Sequence, residues 1–266
     1  MARYSVFTDL DGTLIDHDTY RWDAARDAIG KLKKEGMPMI PCTSKTRAEI
    51  EVYMGDIGLD GPFISENGGG IFIPKGYFDF KYGFTKVLDG YNVIESGSSY
   101  ALLRKALDGI RANVGGRLTG FGDMDAKEVA KDTGLTLREA RLAKKREYDE
   151  AFRFEGDEKA LERGIEKAGL KWTKGGRYWH IMGDNDKGKA VKILAGLFKE
   201  KMGTMKTVGL GDSLNDLPML KAVDIAILVQ KKDGTYDPRV KLDGIIKAKG
   251  VGPVGWNSAI EELLKD

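Results

Sequence analysis

Two segments far apart in the chain constrain its fold more than anything else in it. Residues 3–8 read as a short strand ending in Asp9-Leu10-Asp11-Gly12-Thr13, and residues 207–210 as a strand running into Gly211-Asp212-Ser213-Leu214-Asn215-Asp216. Each is an apolar strand, a tight glycine turn and a pair of carboxylates. Open α/β sheets place their ligands just beyond the carboxyl ends of the strands, so these two ends make one site if the strands are parallel neighbours. Parallel neighbours need helical crossovers, and the pattern provides them. Residues 23–34 have helical spacing at Ala25, Ile29 and Leu32 before Gly36, residues 37–42 read as a second strand, 46–54 as a helix and 62–65 as a third strand. Gly68-Gly69-Gly70 then turns into the alternating Ile71-Phe72-Ile73. From Lys187 the alternation resumes, with a helix to Lys199, the strand 207–210, a helix over 214–220, a strand over 225–228 and a last helix over 257–264.

The middle of the chain breaks that rhythm. Residues 92–95 read as a strand, Ser99 starts a helix with Leu102, Leu103, Ala106, Leu107 and Ile110 on one face, Asp125 caps a short helix ending near Gly134, and Thr136 with Glu139 forms a capping box. A strand over 151–155, a helix over 157–168 and two strands, 170–173 and 177–182, joined by Gly175-Gly176, complete an α+β module. The 266 residues exceed what one small core requires, and with 41% hydrophobic and 32% charged residues both parts have material for a packed interior. The expected architecture is α/β: a discontinuous, Rossmann-like, doubly wound parallel-sheet core over 1–84 and 186–266, with an inserted α+β cap over 85–185.

If the two strand ends meet, four carboxylates converge, and such a cluster repels itself unless a cation neutralises it. Oxygen-only ligation points to Mg²⁺. A near-balanced formal charge of +2 disfavours nucleic acid and anionic membranes as partners. The single Cys42 excludes an intrachain disulfide, and His17 and His180 are too few for a structural zinc site. An acidic residue at position 9 interrupts any signal-peptide core, no apolar run has membrane-spanning length, and a cytoplasmic location is expected. Gly183-Asp184-Asn185-Asp186-Lys187-Gly188-Lys189-Ala190 nearly spells a P-loop, but Ala190 stands where Ser or Thr must hold Mg²⁺, and two aspartates sit where a triphosphate belongs.

Asp9-x-Asp11-Gly12-Thr13, the hydroxyl at Thr43 or Ser44, Lys187 and Gly211-Asp212-x-x-Asn215-Asp216 resemble, in order, the four motifs of the haloacid dehalogenase superfamily. The insert between the second and third resembles that superfamily's larger α/β cap. The resemblance implies a phosphatase in which Asp9 attacks phosphorus, Asp11 protonates the leaving group and then activates water, and Thr43 and Lys187 bind phosphate. It also implies Mg²⁺ at Asp9, Asp11 and Asp212, with Asn215 and Asp216 orienting that site from behind. Further matches around Cys42-Thr43-Ser44-Lys45, Ser65-Glu66-Asn67, Arg146-Glu147-Tyr148 and Arg177-Tyr178-Trp179-His180 are similar to the mannosyl-3-phosphoglycerate phosphatases of that superfamily. The implied ligand is a small phosphorylated sugar-glycerate, with Ser44, Lys45, Glu66, Asn67, Arg146, Arg177 and His180 as its candidate contacts. Arg177 on a turn suits bidentate binding of the glycerate carboxylate, and Glu66 and Asn67 suit sugar hydroxyls. Trp172, Tyr178 and Trp179 are expected to pack the cap interior. A glucosyl-3-phosphoglycerate or general sugar-phosphate phosphatase, a phosphomannomutase and a non-catalytic phospho-ligand sensor are the alternatives; oligomeric state is not legible.

Overall fold

The computed structural model describes residues 3–175 and 177–265. Met1 and Ala2 of the N-terminal segment, and Gly176 of the expected 175–176 turn, lie outside the described residues. In chain order the elements are β1 (Tyr4–Thr8), α1 (Arg26–Lys34), β2 (Met39–Pro41), α2 (Arg47–Ile57), β3 (Phe63–Ser65), β4 (Gly70–Pro74), β5 (Lys86–Leu88), β6 (Tyr91–Glu95), α3 (Tyr100–Val114), β7 (Arg117–Gly120), α4 (Ala126–Thr133) and α5 (Leu137–Ala143). They continue with β8 (Asp149–Glu155), α6 (Glu158–Lys167), β9 (Lys171–Lys174), β10 (Trp179–Met182), α7 (Lys187–Met202), β11 (Lys206–Gly211), α8 (Leu217–Leu220), β12 (Ile225–Gln230), β13 (Ile246–Val251) and α9 (Pro253–Leu263).

Five strands form a parallel sheet in the order β13-β12-β11-β1-β2. β1 and β11 are neighbours in register from Tyr4–Lys206 to Thr8–Leu210, so both carboxylate-bearing turns leave the sheet side by side. The strands read as continuous apolar runs because helices cover both faces. On one side Leu10, Leu32, Ile50 and Trp256 join the core; on the other Phe7, Ile40, Val191, Leu194 and Phe198 do. This is the doubly wound α/β core, and its inserted cap is built on an antiparallel sheet, β7-β8-β10-β9, packed against α3 and α6 through Leu103, Leu107, Phe152, Leu161 and Trp179.

Several elements differ from the sequence reading. β3 does not extend the parallel sheet: it pairs antiparallel with β4 in a flanking sheet, β3-β4-β6-β5, touching the parallel sheet through one bridge from Cys42 to Ile64. With three residues and a hairpin partner seven positions on, Phe63–Ser65 closes locally instead of taking a second crossover. This sheet runs from Phe63 to Glu95, so the expected division at 84/85 falls inside it. β5, β7 and β13 were not foreseen. In β13 Lys247 and Lys249 alternate with Ala248 and Gly250, the polar, weakly apolar pattern of a sheet edge. The caps of α4 and α5 are as read: Asp125 with Glu128 and Thr136 with Glu139 form reciprocal capping boxes, and Gly134 ends α4 in the left-handed region.

Candidate active site

The site lies at the carboxyl ends of β1 and β11. Asp9 follows β1, and its N–H donates to the Leu210 carbonyl at 2.9 Å. Behind it Thr8 Oγ1 donates to the Asp9 carbonyl and accepts the indole N–H of Trp256 at 3.0 Å, so α9 braces the Asp9 turn from the rear. Gly12 sits at φ +75°, and a Cβ there would meet Asp212 Oδ2 at 3.0 Å. A Cβ on Gly211 would meet Asp216 Cβ at 2.4 Å. The two turns are thus as close as their backbones allow.

Lys187, the first residue of α7, is carried inward by its helix start, where Asp186 Oδ1 caps the N–H of Lys189. Its fully buried ammonium donates to Asp9 Oδ1 at 2.7 Å and Asp216 Oδ1 at 2.6 Å. Burial opposes its charge, but Asp216 and Asp9 hold its pKa above the ordinary lysine value. The segment that nearly spells a P-loop is therefore a capped helix start whose lysine faces carboxylates. Asp216 Oδ2 accepts the N–H groups of Asp212 and Ser213 at 3.0 and 3.1 Å, which fixes the turn that presents Asp212. Asn215 Oδ1 accepts from Ser213 Oγ at 2.6 Å at the rim of the same turn.

One oxygen each of Asp9, Asp212 and Asp216 lie within 4.8 Å of one another, facing a single lysine. Burial, then Asp216, push the Asp9 carboxyl up to about 7 despite Lys187; burial, Asp216 and Asp9 raise Asp212 well above the carboxylate range. Such a set carries more negative charge than its protein partners neutralise and fits a hard divalent cation. Asp216 has both oxygens engaged, so the Asp212 carboxylate and Asp9 Oδ2, which the Thr13 hydroxyl meets at 3.5 Å, remain to face a cation. Asp11, expected as a carboxylate ligand, is not part of the cluster: its Oδ2 pairs with Lys45 Nζ at 2.9 Å. Asp11 Oδ1 is buried without a hydrogen-bond partner among the described residues. Lys45 is itself buried beside the rings of Tyr20 and Tyr53, 5.4 and 5.5 Å from their centroids. Thr43, just past the end of β2, is fully buried with its Oγ1 accepting the Lys45 N–H at 3.3 Å, and Ser44 lines the cavity.

Above this floor is a cavity of about 590 Å³ between the parallel sheet and the cap. Of the expected ligand contacts, Ser44, Lys45, Arg146, Arg177 and His180 line it. Glu66 and Asn67 do not, and the reading of them as sugar contacts is corrected. Both are buried in the left-handed region at φ +46° and +55°. Glu66 accepts the N–H groups of Glu147 and Tyr148, and Asn67 Nδ2 donates to Asp149 Oδ2 at 2.8 Å. They tie the flanking sheet to the cap entry. Arg146 reaches the cavity edge, but its guanidinium donates to the Asp149 carboxylate and to the Ser44 carbonyl. Asp149, at the start of β8, also meets His180 Nδ1 at 2.8 Å across the β8–β10 pair. Burial would raise the Asp149 carboxyl, yet His180, Arg146 and Asn67 hold it below its ordinary value. Arg177 is exposed, with one N–H on the Thr133 carbonyl at 2.8 Å.

The sequence reading missed Tyr20, Lys231 and Arg239, all in this cavity wall, because none belongs to a spaced motif, and it left Asp149, within the 146–152 segment, without a role. Tyr178 also lines the cavity, against the expectation that it packs the cap interior; Trp172 and Trp179 do pack there, 5.1 Å apart. A cue to Asp149 was present: it lies three residues after Arg146, at the start of a strand.

A family model for haloacid dehalogenase-like hydrolases matches residues 6–88 and 131–236. The chain belongs to that family of hydrolases. It is 58% identical over 265 residues to a glucosyl-3-phosphoglycerate/mannosyl-3-phosphoglycerate phosphatase of Methanococcoides burtonii, covering 98% of this chain and 97% of that one. It is 40% identical over 224 residues to the mannosyl-3-phosphoglycerate phosphatase of Pyrococcus horikoshii, covering 84% and 89%. Among solved structures, protein 0175 of Thermoplasma acidophilum shares the fold at 18% identity with a TM-score of 0.71, covering 99% of both chains. No helix among the described residues is long and apolar enough to cross a membrane.

Proposed function

We propose that this chain is a Mg²⁺-dependent phosphomonoesterase that releases phosphate from mannosyl-3-phosphoglycerate and glucosyl-3-phosphoglycerate. The observation that carries the reading is near-full-length 58% identity to a phosphatase of both esters, on a chain whose Asp9 lines the cavity. Residues 98–183 act as the cap, because the flanking sheet ends at Glu95 and Gly183 abuts Ser98 so closely that a Cβ would meet Ser98 Oγ at 2.6 Å.

One carboxylate oxygen of Asp9 attacks phosphorus while the other would be left to the metal, and Lys187, 2.7 Å from Oδ1, keeps the carboxylate oriented for in-line displacement. The phosphorus–oxygen bond to the glycerate breaks, and Asp11 gives its proton to the departing oxygen. In the second step Asp11 takes a proton from water, the water oxygen attacks the aspartyl-phosphate, and phosphate leaves with Asp9 regenerated. Lys45 holds Asp11 aimed into the cavity, while Thr43 and Lys187 bind phosphate oxygens. Asp9 and Asp212 would hold Mg²⁺, which would supply positive charge against that of the transferring group. Asp216 positions Lys187 and the Asp212 turn and touches no substrate. The shared preference for two epimers follows if the cap contacts the sugar loosely and reads the glycerate.

The test is phosphate release from both glycosyl-3-phosphoglycerates, free 3-phosphoglycerate and mannose phosphates, before and after chelation. Release from the two glycosyl esters that chelation abolishes and Mg²⁺ restores is expected. Turnover in rigorously metal-free buffer, or selective release from mannose phosphates, overturns the reading.

A further inference from the structure

The walls of the cavity are rich in cations, and most of them are already neutralised. Lys45 pairs with Asp11, Arg146 with Asp149, Lys232 with Asp18 at 2.6 Å and Arg239 with Asp237 at 2.6 Å. Among the described residues, two cavity-lining cations of Lys or Arg type lack a carboxylate partner: Lys231 and Arg177. They come from different sheets. Arg177 stands before β10 of the cap, and Lys231 directly follows Gln230, the last residue of β12.

Lys231 is not a loosely tethered surface lysine. Its N–H donates to the Thr235 carbonyl and its carbonyl accepts from Gly234, both at 2.8 Å, so a closed turn fixes its Cα at the carboxyl end of the parallel sheet. β12 is hydrogen-bonded to β11, which places Lys231 one strand from the turn that carries Asp212. The side chain is half-buried. The acid in its own turn, Asp233, is held by the N–H and hydroxyl of Thr235 at 2.9 and 2.7 Å and is not within ion-pair distance. An unpaired, half-desolvated ammonium on a rigid turn favours an incoming anion.

The phosphate of the substrate belongs with Lys187 and Thr43 at the floor, so Lys231 and Arg177 are left for a second anion a few bonds from phosphorus. We propose that Lys231 and Arg177 form a two-sided clamp for a carboxylate adjacent to the phosphoester, one jaw on the core and one on the cap. This deepens the function proposed above and rests on it for the identity of the ligand, a glycerate carboxylate. The clamp makes the carboxylate a bridge between the two domains, so esters lacking it bind without drawing the jaws together. Lys231 is then a specificity determinant and takes no part in phosphoryl transfer.

The probes are 3-phosphoglycerate and glycerol 3-phosphate, which differ in a carboxylate replacing a hydroxymethyl group. Their competitive inhibition constants are measured against para-nitrophenyl phosphate hydrolysis by the Mg²⁺-loaded enzyme, and the readout is their ratio. The wild type should prefer 3-phosphoglycerate by about tenfold or more, and K231A and R177A should each lower that preference by about fivefold. The double variant should lose the preference, K231R should retain it, and raised salt should weaken it in the wild type. A wild-type ratio near one, or a ratio that K231A leaves unchanged, overturns the clamp. If the wild type shows the preference but hydrolyses neither glycosyl ester, the proposed function fails and the clamp stands. If it hydrolyses both while K231A keeps the full preference, the clamp fails and the function stands.

Discussion

The floor and the walls of the cavity solve opposite electrostatic problems. On the floor three clustered carboxylates share one buried lysine, and their geometry is enforced by backbone turns with no room for a Cβ at Gly12 or Gly211. On the walls the cations outnumber their partners, and their geometry comes from long-range contacts: Arg146, Asp149, His180 and Asn67 are drawn together from three elements and one loop. The floor needs a cation and the walls favour an anion. A phosphate ester with a neighbouring carboxylate, bound with a divalent metal, satisfies both. Catalytic power should therefore reside in residues fixed by local turns, and selectivity in residues fixed by tertiary packing.

The largest effect separating the two regions should come from Asp9→Asn. An amide cannot attack phosphorus, so kcat should fall by about 10⁴-fold or more with every phosphate ester while the fold is kept. Parallel assays of a glycosyl-3-phosphoglycerate and para-nitrophenyl phosphate check this; a loss confined to one ester would place the nucleophile elsewhere. The next concerns stability. Lys187→Met leaves Asp9 and Asp216 facing each other in the interior, and should cost about 3–5 kcal/mol in denaturant unfolding of the metal-free protein. Adding Asp216→Asn to that variant should recover part of the loss, because one of the two unpaired charges is gone.

What was readable in the sequence follows the same division. Asp9 and Asp212 stand in short motifs at strand ends, so their convergence follows once β1 and β11 are placed side by side. Trp256, which braces the Asp9 turn from α9, had no such spacing; its partner Thr8 lies at the other end of the chain. The wall residues failed for a related reason. Glu66 and Asn67 look like rim ligands because a glycine-rich loop predicts exposure, yet their left-handed backbone turns the side chains toward the N–H groups of 147–148 and the Asp149 carboxylate. A pairing of residues 67 and 149 leaves no periodicity to find. The missed β13 and the misassigned β3 share that origin, since both are short strands whose place depends on what they pair with.

The junction between floor and walls is tested by Asp149, the buried anion that holds Arg146, His180 and Asn67. Asp149→Ala strands a buried guanidinium and should destabilise by about 2–4 kcal/mol. Because the folded-state pKa of Asp149 is lowered, its stabilising contribution is complete above the unfolded carboxylate value of about 3.9 and fades as pH falls through the folded value. The stability difference between wild type and Asp149→Asn should accordingly shrink as the pH is lowered below about 4. A difference that instead grew on acidification would mean that Asp149 is not the anion of the network.

The smallest expected effect belongs to Arg177, and it bears most directly on the division of labour. The sequence alone suggests a desolvated carboxylate contact and a loss of roughly 2–4 kcal/mol in kcat/KM on truncation to alanine. The structure lowers that expectation. Arg177 is exposed, one of its N–H groups is held by the Thr133 carbonyl, and its ring neighbour Tyr178 stacks at 5.8 Å from the guanidinium carbon. A solvated guanidinium loses less on truncation than a buried one, so about 1–2 kcal/mol is expected, carried by KM for carboxylate-bearing esters. The measurement is the ratio of kcat/KM for a glycosyl-3-phosphoglycerate to that for para-nitrophenyl phosphate, wild type against Arg177→Ala. A fall in the ratio places Arg177 on the substrate; equal losses with both esters would make it a support of the cap fold through Thr133, and the walls would then owe their selectivity to other side chains.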